Sequence, residues 1–387
     1  MTRFRLVPLL LGAAGLLVAG CSDSDGASDG SGSSGGTPTV VVTTNILGDV
    51  VEAFAGDVVD VVTVMPVGAD PHNFQASAQQ ANEMREADAL VVNGADFEEG
   101  MLDVIEAATD DGVPTYEAIA TVETIEFGEG GHDHGDEHAD EDGDEHAEDG
   151  DEHADEHAED GDEHAEDGDE HADEHAEDGD EHAEDDDEHA EDGDEHADEG
   201  DDHEHEHAAG STDPHFFTDP TRMIEAVEGI ADFLADNVDG IDVDALEAGA
   251  DDYIAELEAL DAEVDTTLDP IAEGDRVLVT NHEVFGYFAD RYDFEVVGTV
   301  IPTGSTADGA SAGELADLAE VIEAEGVPAI FADTSSSDEL ADTLADEVGD
   351  IEVVELYSES LGDEDSDGAT YLQMVQTNAD RIAAALG

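Results

Sequence analysis

Residues 129–207 are written in Asp, Glu, His, Gly and Ala, as a heptad-spaced repeat of the form E-H-A-E-D-G-D. No apolar face can be drawn through this stretch, because Ala is its only nonpolar side chain besides Gly. Such a segment cannot offset the entropy of ordering its backbone, and it is expected to stay disordered without a bound metal. Whatever folds in this chain must therefore be assembled from the segments on either side.

Those segments alternate between short apolar runs and helical spacing. Residues 39–44 (T-V-V-V-T-T) form a β-branched run suited to a strand buried on both faces. Helical spacing follows over 46–55 and stops at Gly56, and 58–65 predicts a second buried strand. Ser77 is placed to cap a helix through Arg85, with a strand after it at 89–93. Beyond the tract, Asp219-Pro220 supplies a cap and a first-position proline to a helix lined by Met223, Ile224, Val227, Ile230 and Leu234. A longer helix at 242–268 carries Leu246, Tyr253, Leu257, Leu260 and Val264, and at 1.5 Å per residue it spans roughly 40 Å. Then come a strand at 276–280, a helix at 283–291 and a strand at 295–301. Ser311 and Glu314 have capping-box spacing and open a helix that ends at Gly326. A strand at 329–332, a helix at 338–348, a strand at 351–356 and a closing helix at 370–386 complete the chain. With 387 residues to place, the pattern predicts an α/β protein of two parallel-sheet lobes.

The N-terminus and the charge restrict the setting. Arg3 and Arg5 precede an apolar run at 6–18, and Val18-Ala19-Gly20-Cys21 resembles a lipobox. Residues 1–21 are thus expected to be a lipoprotein signal peptide, with lipid carried on Cys21 and the body outside the cytoplasm. The apolar run falls short of the ~20 residues that a membrane span needs. Residues 22–38, rich in Ser, Gly and Asp, then read as a flexible tether from the membrane. Cys21 is the one cysteine, which excludes a disulfide framework and a cysteine-based zinc finger. The chain has 110 acidic residues against 7 basic ones, all Arg, and 44 of the acids lie in 129–207. The excess elsewhere fits a halophilic acidic surface, and the lack of any basic patch excludes nucleic acid as a partner.

Fifteen of the eighteen histidines fall in the tract, leaving His72, His215 and His282. His72 follows the strand predicted at 58–65, His215 precedes the helix capped by Asp219, and His282 comes directly after the strand at 276–280. In parallel α/β lobes, ligand sites gather beyond the carboxyl ends of strands. Three imidazoles there suit zinc, copper, iron or nickel, whereas calcium and magnesium prefer oxygen shells. With one carboxylate they make a four-coordinate set suited to zinc. Glu359, just past the last predicted strand, is the first candidate for that carboxylate, with Asp333 and Glu283 as rivals.

Five words of the sequence together bring a family into view: G-A-D-P-H-N-F, N-G-A-D-F-E-E-G-M, D-P-H-F-F-T-D-P, T-N-H-E-V-F-G-Y-F-A-D-R-Y and T-Y-L-Q-M-V-Q-T-N-A-D-R-I. The chain resembles the zinc-specific solute-binding lipoproteins of ABC importers, the ZnuA type, over about 39–127 and 208–387. The resemblance implies that His72, His215 and His282 are metal ligands, with Glu359 as the fourth at a place where Asp is commoner. Manganese members carry Glu at the place of His282, so the resemblance favours zinc. It also implies two lobes joined by one rigid long helix, with the metal in the cleft between them and an ABC permease as partner. Its domains would be an N-terminal lobe at 39–240 interrupted by 129–207, an interlobe helix at 241–271 and a C-terminal lobe at 272–387. The protein is expected to act as a monomer.

For the tract, low-affinity zinc capture is the leading expectation, through close pairs such as His132 and His134, or His203, His205 and His207. Sensing of high zinc and a merely solvated acidic spacer are the other two readings. A manganese-binding member of the same family, and a surface zinc storage or cell adhesion-like protein, are the alternatives for the whole chain. A zinc hydrolase would need a general base, for which Glu283 can be nominated, but no H-E-x-x-H signature occurs.

Overall fold

Two four-stranded sheets of the same strand order carry the chain, and every strand pairing within them is parallel. The computed structural model describes residues 36–128 and 211–387, apart from 308, 338 and 350. The expected signal segment with Cys21, nearly all of the tether, and the tract with His132, His134, His203, His205 and His207 lie outside the described residues.

The first sheet comprises β1 (Thr39–Val42), β2 (Asp60–Thr63), β3 (Ala89–Val92) and β4 (Thr115–Glu117), in the order β2-β1-β3-β4. Its helices are α1 (Asn45–Ala55), α2 (Ala78–Glu86) and α3 (Leu102–Asp110). Two helices follow, α4 (Pro220–Asn237) and α5 (Val243–Leu268). The second sheet holds β5 (Val277–Thr280), β6 (Glu295–Thr299), β7 (Ala329–Asp333) and β8 (Glu352–Leu356), in the order β6-β5-β7-β8. With it run α6 (Gly286–Tyr292), α7 (Ala312–Glu325), α8 (Glu339–Val348) and α9 (Tyr371–Leu386).

The caps read from sequence form as expected. Ser77 and Gln80, like Ser311 and Glu314, make reciprocal capping boxes. Asp219 accepts from the Thr221 amide at 2.7 Å, and Gly326 closes α7 at φ 69°. Three departures have local reasons. The strand expected at 58–65 shrinks to Asp60–Thr63, and it is not buried on both faces. It is an edge strand with β1 as its sole neighbour, which leaves Asp60 and Thr63 exposed. The helix expected from 283 begins at Gly286, because the Glu283 amide donates to Thr303 O (3.1 Å) and the Val284 amide to His282 O (2.9 Å). The segment 102–117, left unassigned by the sequence pattern, supplies α3 and β4.

One apolar core passes through both sheets. It takes Val40 and Val42 from β1, Ile46 and Val50 from α1, and Met223 and Ile230 from α4. It continues along Leu246, Tyr253, Leu257, Leu260 and Val264 of α5 to Leu278, Phe331, Leu356, Met374 and Ile382. The outer face of each sheet has its own smaller core, around Met84, Leu90 and Met101 on one side and Leu318, Ile330 and Leu344 on the other. Each sheet is therefore covered by helices on both faces, as parallel sheets require. The inner helices are shared, with α5 packing on α1, α4 and α9. Gly249 permits a close approach of α5 to α1, since a Cβ there would lie 2.1 Å from the Phe54 carbonyl oxygen.

Candidate metal centre

Loops after β2, β5 and β8, with the turn before α4, bring His72, His282, Glu359 and His215 together. One ligand atom from each lies within 4.8 Å of the others. Ligands at ~2.0–2.1 Å from a tetrahedral zinc stand about 3.3–3.4 Å apart, so the four groups fit such an ion after small adjustments. All four side chains are buried, at 0–3% exposure. The Nε2 atoms of the three imidazoles converge on one atom, Glu359 Oε1, at 2.7 Å (His72), 3.3 Å (His215) and 3.1 Å (His282). Neither rival carboxylate joins this cluster. Asp333 is occupied by the Ser335 amide (2.8 Å) and hydroxyl (2.8 and 2.9 Å).

The two D-P-H words fold alike. Asp70 Oδ1 accepts from the His72 amide at 3.0 Å, and Asp213 Oδ1 accepts from the His215 amide at 2.9 Å. Each Asp thereby turns the backbone so that the histidine two residues on faces inward. Beyond that they differ. Asp213 Oδ1 also meets its own histidine's Nδ1 at 2.7 Å. Asp70 Oδ2 instead takes the Thr306 hydroxyl at 2.6 Å, and His72 Nδ1 meets Glu99 Oε1 at 2.8 Å. Such outer partners fix the ring orientation of a ligating imidazole.

Beneath the histidines lies Phe97, whose ring meets His72 and His215 edge-on at centroid distances of 5.4 and 5.5 Å. It is delivered by a left-handed run, Gly94 (φ 89°), Ala95 (φ 52°) and Asp96 (φ 58°), the last two being unusual for residues with a Cβ. Buried Glu98 holds that turn by accepting from Thr43 Oγ1 (2.5 Å) and the Asn93 amide (2.7 Å). Burial raises the Glu98 carboxyl above its usual range, against the lowering effect of these bonds.

The electrostatics are those of a carboxylate among imidazoles. Burial works against charge on His72, yet the Glu359 and Glu99 carboxylates outweigh it and raise the ring to about 10. His215 is likewise raised, burial being overcome by Asp213 and then Glu359. Burial alone would raise Glu359, but the charges of His282 and His72 hold it well below the usual carboxylate range. Asp333 is raised by burial and by the nearby Glu359 charge. The raised His72 and His215 rings and the lowered Glu359 carboxyl thus favour positive charge around the carboxylate.

Glu359 is anchored from the other sheet. Its neighbour Ser360 accepts through Oγ from Asn45 Nδ2 (3.0 Å) and the Gly68 amide (2.7 Å), while Asn45 Oδ1 accepts from the Leu361 amide (2.8 Å). Sequence reading missed Glu99, Asp213, Asn45 and Ser360. The repeated D-P-H word was a usable signal for Asp213; nothing local marks the other three. A groove of about 810 Å³ lies between α5 and α9 and contains none of these groups.

Residues 40–385 match the family model described as ZnuA, zinc-uptake complex component A periplasmic. The manganese-binding lipoprotein MntA of Halalkalibacterium halodurans is 23% identical over 372 residues, 96% of this chain and 95% of the relative. The zinc-binding protein TroA of Treponema pallidum is 39% identical over 139 residues, 35% of this chain and 44% of that protein. The solved structure of the periplasmic zinc binding protein TroA from Treponema pallidum has the same fold, with a TM-score of 0.65 at 24% identity. The match covers 91% of this chain and 100% of that one.

Proposed function

The chain belongs to the zinc-uptake component A family of metal-binding lipoproteins of ABC importers, and from that premise we propose that its cargo is zinc. Members of this family are substrate-binding proteins rather than enzymes, and they work with a membrane permease. In the proposed function His72, His215, His282 and Glu359 hold one ion tightly outside the cytoplasm and pass it to that permease. The observation that carries the proposal is the convergence of three Nε2 atoms, drawn from both sheets, on Glu359 Oε1. A donor set of three nitrogens and one oxygen favours a borderline cation over a hard one. No helix among the described residues is long and apolar enough to cross a membrane, and the proposal assigns attachment to lipid on Cys21.

Two further parts of the proposal concern segments outside the described residues. The tract at 129–207 gathers zinc weakly, or senses it, through His132, His134, His203, His205, His207 and their repeats. The chain acts as a monomer, the membrane and the permease being its partners. Manganese is the competing cargo, because a relative that aligns along almost the whole chain is named for it.

Calorimetric titration of the full chain and of a 132–207 deletion with zinc, then with manganese, tests the reading. One tight zinc site in both proteins, with manganese at least about a hundredfold weaker, is expected from the donor set. Loss of the tight site in the deletion would move the site into the tract, and tighter manganese binding would replace the cargo.

A further inference from the structure

The three imidazoles are not equivalent, and the difference lies at the ring nitrogen that faces away from the cargo. His72 Nδ1 meets Glu99 Oε1 at 2.8 Å, and His215 Nδ1 meets Asp213 Oδ1 at 2.7 Å. His282 Nδ1 is buried and meets no hydrogen-bonding group among the described residues. The His282 main chain is held, its carbonyl accepting from Thr280 Oγ1 at 2.7 Å, but its ring has no outer partner among the described residues.

A cation bound at Nε2 needs that nitrogen bare, so a neutral ligating imidazole carries its hydrogen on Nδ1. His72 and His215 then have Glu99 and Asp213 in place to accept that Nδ1–H. The Nδ1–H of a ligating His282 would be buried with nothing among the described residues to accept it, a condition that proteins avoid.

We infer that His282 is the ligand that releases first, a positioning asymmetry that sets the order in which the site opens. His72 and His215 form the retained pair, with rings oriented by Glu99 and Asp213. Detaching His282 removes the stranded donor, whereas detaching either of the others disturbs a ring that its outer carboxylate already holds. This inference rests on the cargo-binding role proposed above and assigns the regulation of that same site.

The test uses the full chain loaded with one equivalent of zinc. Long-range proton–nitrogen spectra, with each ring identified by loss of its signals in His72→Ala, His215→Ala or His282→Ala, report the Nδ1–H groups directly. Two strongly deshielded Nδ1–H protons, from His72 and His215, and a third without that shift for His282 are expected. Zinc release into a chromophoric chelator is measured on the same variants, together with Glu99→Gln and Asp213→Asn. Glu99→Gln and Asp213→Asn should each weaken zinc by about 10–100-fold, the usual cost of losing an outer partner. His282→Ala should cost at least about tenfold less affinity than His72→Ala or His215→Ala, the stranded donor leaving with the ring. Three equally deshielded protons in the unmodified chain, or a His282→Ala loss equal to the others, overturns the inference even if a variant folds poorly. Unchanged zinc binding in all three alanine variants would instead remove the cargo site itself.

Discussion

Replacing Asn45 with Ala asks whether Glu359, the proposed fourth ligand, is held in place from the opposite lobe. Asn45 Nδ2 donates to Ser360 Oγ (3.0 Å) and Pro66 O (3.2 Å), and its Oδ1 accepts from the Leu361 amide (2.8 Å). The three partners do not suffer equally when the side chain is cut back. Pro66 is exposed, so its carbonyl regains water. Ser360 Oγ keeps the Gly68 amide at 2.7 Å and its own donation to Leu361 O at 3.2 Å. The amide of buried Leu361 is left without an acceptor among the described residues. An orphaned buried N–H costs about 1–3 kcal/mol, and the lost bond itself about 0.5–1.5 kcal/mol. Asn45→Ala is therefore expected to lower unfolding free energy by about 2–4 kcal/mol, or Tm by about 5–10 °C. Ser360→Ala strips an acceptor mainly from the exposed Gly68 amide and should cost about 1 kcal/mol or less. Because Ser360 adjoins Glu359, Asn45→Ala should also weaken zinc about tenfold. Urea unfolding of the metal-free variants and calorimetric titration with zinc check both numbers. An Asn45→Ala loss below about 0.5 kcal/mol, or a larger loss for Ser360→Ala, would refute the reasoning from unpaired groups.

Four other outcomes can be measured on the same protein. Zinc binding near pH 7.5 should release at least one proton per ion, approaching two, because His72 is held at about 10 and His215 is also raised. Calorimetry in buffers of different ionisation enthalpy reads this, and zero release would contradict the charge arrangement. In the metal-free chain the raised His72 contributes stability that is complete below its ordinary value of 6.5 and is lost as pH rises through about 10. Gly249→Ala drives a Cβ to 2.1 Å from the Phe54 carbonyl and should cost about 1–3 kcal/mol in urea unfolding. Gly274→Ala, where an added Cβ meets nothing within 4 Å, should stay within about 0.5 kcal/mol. With 110 acidic residues against 7 basic ones, Tm should climb steadily between low and molar sodium chloride, and a flat response would argue against self-repulsion as a major load.

The candidate ligands stand out because histidine is scarce outside the tract and each of the three adjoins a turn at an element boundary. The strand-end rule places His72, His282 and Glu359 after β2, β5 and β8, while His215 enters from the turn before α4. The helices announced themselves through caps that act within four residues, as at Ser77, Asp219 and Ser311. What stayed hidden depends on partners far away in the chain. Glu99 is one acid among 110, and nothing near Asn45 points to a serine 315 positions on. The exposure of β2 is fixed by its place at the sheet edge, which its own residues D-V-V-T do not encode. The late start of α6 comes from an amide spent on Thr303, a contact invisible in the 283–291 pattern.

The seam along α5 has a bearing on how cargo leaves. Swinging the halves apart would peel Tyr253, Leu257, Leu260 and Val264 into water, at roughly 1.5–3 kcal/mol for each large side chain. A transporter that had to prise open such a joint would work against much of what keeps the protein folded. The cheaper motion is a local one, in which the short loops carrying the histidines shift while the helical backbone beneath them stays still. On that view the two halves are a fixed anvil, and discharge is a matter of a few residues at its surface.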